Sequence, residues 1–138
     1  MDNACKKLCD SLARRIVARD FAGAHSLLAP WISSEITAAD IEKMIDAAGG
    51  GPSLSSEWNL DEGMVELEDL RQPDPYGPPS KGVSEEITKQ NYRGWLCIQF
   101  SPKAPTEDEP NVFFDLWLVA VDDGPNLKIG YIEAAEAT

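Results

Sequence analysis

Asp115 stands between Phe114 and Leu116 in the most apolar stretch of the chain, Val112–Val121. A carboxylate there has two readings. It either lies at a strand edge or is neutralised by a base on a neighbouring strand, Arg93 or Lys128; or it is buried with a raised pKa and acts as a general base or ligand anchor. Buried carboxylates are rare and usually paired, which favours the first reading. Tyr92 and Tyr131 carry phenols that can donate to a developing oxyanion. Trp58, Trp95, Phe113 and Trp117 offer aromatic surface for the wall of a ligand pocket around Asp115. An enzyme built on Asp115 as base requires these groups to converge.

Other chemistry finds less support. His25 is the only histidine and stands beside Ala24 and Ser26, where a packing or surface role is expected. The three cysteines form no CxxC pair, so with one histidine the ligands are too few for zinc. No metal and no cofactor is expected. The Gly49–Gly51 triplet lacks the Lys-Ser/Thr and the following helix of a phosphate-binding loop.

The 138 residues carry a net charge of −12, which argues against nucleic acid and is compatible with a basic protein partner. Glu57–Asp69 holds six acids and no base, and Ala104–Asp123 does the same. Such runs are solvated loops and strand edges, or an acidic recognition face. No apolar run approaches the ~20 residues of a membrane span, and the charged N-terminus shows no signal-peptide core. An odd number of cysteines without a CxxC pair, together with these features, fits a reducing compartment, and the cytoplasm is expected.

The elements that must position Asp115 follow from periodicity. Asp2 or Asn3 caps a first helix that runs to about Arg19, with Cys5, Leu8, Cys9, Leu12 and Ile16 on one face. Asp20 caps a short helix, Phe21–Leu28, which Pro30 ends. Thr37 and Asp40 form a capping box for a third helix, whose stripe is Ile41, Met44, Ile45 and Ala48; Gly49 supplies its left-handed stop. Trp58–Leu70 is the first sheet segment, with a turn or bulge at Asp61–Gly63 and a half-exposed strand from Met64 to Leu70. Gln72–Gly82, with four prolines, is a long irregular loop. Ser84–Glu86 is a short helix or edge strand. Tyr92–Phe100 is a strong strand, and Ser101–Asn111 an acidic, proline-bearing connection. Val112–Val121 and Leu127–Ala134 form a hairpin across a loop of four or five residues, with both strand faces apolar. Helices on one side and a second layer or a partner on the other are expected to cover it. The whole is an α+β protein with one domain, 1–138.

Residues 12 to 48, with the Asp20-Phe21 break, the Leu27-Leu28 end and the Thr-capped helix, resemble the helical opening of the nuclear-transport-factor-like, or cystatin-like, superfamily. The closing hairpin with Lys128-Ile129-Gly130-Tyr131-Ile132 resembles its last two strands. The resemblance implies a cone: a strongly curved antiparallel sheet wrapped around the helices, often with a pocket at its open end and a homodimer through the sheet. It covers both ends of the chain and describes a fold rather than an activity.

Three functions follow as expectations. The first is a non-catalytic protein-binding domain, an adaptor or an immunity-type protein, acting through acidic or sheet surfaces, as a homodimer or with a basic partner. The second is a binder of a small apolar ligand in the cone. The third is an isomerase- or cyclase-like enzyme with Asp115 as base.

Overall fold

A computed structural model describes residues 2–49, 54–63, 65–70, 84–101 and 114–136. Its order is α1 (Asn3–Val17), α2 (Phe21–His25), α3 (Pro30–Ser33), α4 (Ala38–Ala47), β1 (Asn59–Gly63), α5 (Leu67–Leu70), β2 (Tyr92–Phe100), β3 (Phe114–Asp123) and β4 (Asn126–Glu136). The strands form one antiparallel sheet in the order β1-β2-β3-β4. The α+β architecture, with helices first, is as the sequence predicts. The sheet is not strongly curled, so the wrapped shape expected from the resemblance is not what these strands form.

Side-chain chemistry sets the helix ends. Asp2 accepts from Cys5 N–H and opens α1; Asp20 accepts from Gly23 N–H and opens α2. Thr37 and Asp40 complete a reciprocal capping box at α4. Gly49, at φ +102°, takes the left-handed position that follows it. Proline works differently from expectation. The helix α2 already ends at His25, and Pro30 opens α3 at a first-turn position, where its missing N–H costs nothing.

The sheet has two dissimilar faces. Its inner face buries Leu96, Ile98, Leu116, Leu118, Ala120 and Ile129 against the apolar stripes of α1, α2 and α4. The outer face is covered at one end, where Trp95, Val119 and Val121 pack with Ala29, Leu67, Leu70 and Ile87. Within the half-exposed strand expected over Met64–Leu70, Leu67–Leu70 form instead the helical turn α5, and Met64 lies outside the described residues. Leu67 and Leu70 are both buried, a spacing of three that suits a helix and not an alternating strand.

Two irregularities set which residues share a face. The register slips between Tyr92 and Gly94, leaving Arg93 as the extra residue in β2. It slips again opposite Val119/Ala120, leaving Gly130 extra in β4. Ile129 and Tyr131, two residues apart, therefore point to opposite faces instead of sharing one: Ile129 into the helix-side core and Tyr131 to the outer face. Gly130 has no room for a side chain, since a Cβ would meet Val121 Cγ1 at 2.8 Å. Trp31 Nε1 donates to Gly130 O, and Ala29 N–H to Ile129 O, closing this half of the β4 edge.

The β3–β4 loop is shorter than expected. Asp123 still pairs with Asn126, so only Gly124 and Pro125 turn. Gly124 has φ +61°, and a proline cannot follow it into positive φ. This pattern matches a II′ turn, with its left-handed residue first, rather than I′, which needs two.

Candidate functional site

The antiparallel register assembles the site. Asn59 lies beside Gln99, Gln99 beside Asp115 and Asp115 beside Ala135. The next row on the same face is Asp61, Cys97, Trp117 and Glu133. The third is Gly63, Trp95, Val119 and Tyr131. The first two rows build a depression on the outer face of the sheet, of about 240 Å³, lined by Asn59, Leu60, Asp61, Cys97, Gln99, Asp115 and Trp117. Asp115, Trp117 and Glu133 are half-buried and Asp61 is exposed.

The electrostatics are one-sided. These three rows carry Asp61, Asp115 and Glu133 and no lysine or arginine. Asp61 Oδ1 accepts from Glu62 N–H at 2.9 Å, and Glu133 accepts from the Tyr131 hydroxyl. Asp115 Oδ1 is buried and has no hydrogen-bond partner. The two bases expected to neutralise Asp115 are engaged elsewhere. Arg93 bridges Asp2 at 3.1 Å and Asp122 at 2.9 Å, because its bulge turns it towards the start of α1. Lys128 Nζ donates to Ser26 O at 3.1 Å. Pairing of Asp115 with either is thus not what the structure shows.

An aromatic group backs the depression. Trp95, fully buried, stacks on Trp117 with centroids 5.2 Å apart and planes 10° from parallel. It also stacks with Tyr131, at 6.2 Å and 28°. Both distances lie in the favourable range for offset rings. Cys97 lines the floor. Burial raises its thiol pKa to about 12, with Asp115 and Asp61 adding to the shift, so it stays a neutral, unreactive side chain at neutral pH.

The structure brings together only some of the residues singled out in the sequence. Trp95, Asp115 and Trp117 share the outer face. Trp58 sits on the other side of the sheet, packed against the helix-side core, with Nε1 donating to Asp10 at 3.0 Å. Phe113 lies outside the described residues. Tyr92 pairs with Val121, six residues along β3 from Asp115, roughly 20 Å at strand spacing. Its hydroxyl donates to Val65 O at 2.6 Å, and burial raises its pKa to about 12, with Glu62 adding to it. Tyr131 pairs with Val119 and its hydroxyl is committed to Glu133; burial first, then that bond, pushes its pKa up. Neither phenol faces Asp115 as an oxyanion donor. His25 Nε2–H donates to the carbonyls of Ser33, at 2.9 Å, and Ile36, at 2.8 Å, closing the end of α3.

Residues not singled out complete the site: Asn59, Asp61, Gln99 and Glu133. Each is an ordinary polar position in its own strand, and only the pairing register gathers them around Trp117. Among the described residues no group of three or more His, Cys, Asp or Glu is placed to hold a metal ion. No described helix is long and apolar enough to cross a membrane. No family model, curated protein or solved structure matches the chain.

Proposed function

We propose that this chain is a non-catalytic interaction domain, of adaptor or immunity type, whose acidic outer sheet face receives a basic protein partner. The observation that carries the reading is the depression on the outer face, where Asp61 and Asp115 stand beside Trp117 with no lysine or arginine in the rows around them. A face bearing carboxylates and no base steers a cationic partner and speeds its encounter.

The finer fold assignment is part of the same proposal. We read the chain as a divergent member of the nuclear-transport-factor-like superfamily, acting in the cytoplasm as a homodimer or in complex with the basic partner. Supporting it are the order of a long helix, a short helix and a Thr-capped helix, then an antiparallel sheet closed by a long hairpin. A homodimer through the sheet would use the outer face or the β4 edge beyond Tyr131, and competes with the basic partner for the first of these.

The reading is tested with an eight-residue peptide of alternating Lys and Arg, titrated against the protein while tryptophan emission is followed. Binding should weaken steadily as salt rises. It should weaken at least tenfold when Asp61→Asn and Asp115→Asn are combined. Equal affinity in wild type and double variant removes the outer face from the interface.

A further inference from the structure

Resting on the reading of the outer face as a surface for a basic partner, we propose that the depression beside Trp117 is a pocket for a single arginine side chain of that partner. The choice of arginine comes from the shape and chemistry of the walls.

The first wall is flat. An indole has two faces, and Trp95 covers one face of Trp117 in a near-parallel stack. The other side of Trp117 adjoins the row of Asn59, Gln99 and Asp115, with which it lines the depression. A planar guanidinium extends such a stack, gaining both dispersion and cation–π attraction. An ammonium is a compact, strongly hydrated charge that gains less from a flat wall and loses more on leaving water.

The second wall accepts hydrogen bonds. Asp61 and Asp115 place two carboxylates on the depression. Gln99 and Asn59, in the same row, add two amide oxygens. A guanidinium carries five N–H donors in a fixed fork and can serve a carboxylate and a neighbouring amide together. The volume, about 240 Å³, admits one such group and part of its aliphatic stem, not a folded segment. The stem would lie along Trp117 and the neutral Cys97 thiol, both of which tolerate apolar contact. Anionic ligands are excluded by Asp61 and Asp115, and apolar ones leave both carboxylates without a cation.

The test uses two peptides of equal charge, with either three arginines or three lysines in a Gly-Ser background. Their affinities are measured for wild type, Asp115→Asn, Trp117→Leu and, as a charge control on the helix side, Glu35→Gln. The arginine peptide should bind wild type and the Glu35 variant at least tenfold more tightly than the lysine peptide. That preference should fall below twofold in the Asp115 and Trp117 variants. If both peptides bind wild type equally and Asp115→Asn weakens both, the arginine pocket is wrong and the acidic-face reading stands. If neither peptide binds, both are wrong. Should Trp117→Leu unfold, as judged by circular dichroism, Trp117→Phe replaces it. A retained ring with less area should then lower the preference only partly; an unchanged preference would overturn the stacking role.

Discussion

The indole of Trp95 lies over Gly63, so closely that a Cβ on the glycine would come within 2.5 Å of Trp95 Cδ1. The two are directly opposed in the β1–β2 ladder, and the ring fills the space a side chain would take. This packing holds Trp95 in place, and Trp95 in turn supports Trp117 at the candidate site. Gly63→Ala should therefore destabilise by about 1–3 kcal/mol through overpacking. Urea unfolding should show a lower midpoint with an unchanged slope. A neutral substitution would mean that Trp95 moves aside freely and that the stack is not rigid.

Asp115 makes an opposite prediction. A residue that holds the fold together loses stability when altered, whereas one kept for binding need not. Its Oδ1 is buried and unpartnered, so Asp115→Asn should leave stability unchanged or raise it by about 1 kcal/mol, while peptide binding is lost. A large loss of stability in urea unfolding would make the residue structural.

Trp58 and Trp117 should separate cleanly. Trp58→Phe removes the hydrogen bond to Asp10 and should cost about 1 kcal/mol of stability, with no change in peptide affinity. Trp117→Leu should do the reverse: a small stability loss and a large loss of binding. Parallel effects in the two variants would place both rings in one site, against the register described above.

The cysteines and two cap carboxylates set the pH dependence. Burial raises the thiols of Cys5, Cys9 and Cys97 to about 11, 12 and 12, from ordinary values near 9.0. The native state therefore holds these protons while the unfolded chain releases them, so stability should fall as pH rises above about 9. At the acid end, Asp2 is lowered by its bond from Cys5 N–H and then by Arg93, and Asp40 by its bonds to Thr37. Their contribution is present above the ordinary value near 3.8 and is lost as pH falls through the lower folded values. Thermal midpoints measured from pH 2 to 11 should show a plateau with both shoulders. Ellman's reagent at pH 8 should label the thiols slowly in the native protein and rapidly in guanidinium.

Local chemistry was legible in the sequence; pairing was not. The caps at Asp2, Asp20 and Thr37, the stop at Gly49 and the full extent of Tyr92–Phe100 depend on a few neighbouring residues, and periodicity exposes them. The faces of β4 depend on the extra residue Gly130, where a side chain would meet Val121, Trp31 and Ile87 from distant parts of the chain. Leu67 and Leu70 were ambiguous because four residues fit either period. The site suffered most. Asp115, Trp95 and Trp117 stood out as unusual for a strand, but Asp61 looked like turn chemistry and Gln99 like an ordinary polar position. Trp58 shares their residue type, but it packs on the helix side of the sheet, where Asp10 accepts from its indole.

The most direct measurement is a backbone amide chemical-shift map of the ¹⁵N-labelled protein, titrated with the Lys/Arg peptide. Perturbations should concentrate on Asn59–Asp61, Cys97–Gln99, Asp115–Trp117 and Glu133, with the Trp117 indole N–H among the most affected. Shifts confined to the helices, or none at saturating peptide, would contradict an acidic outer-face interface.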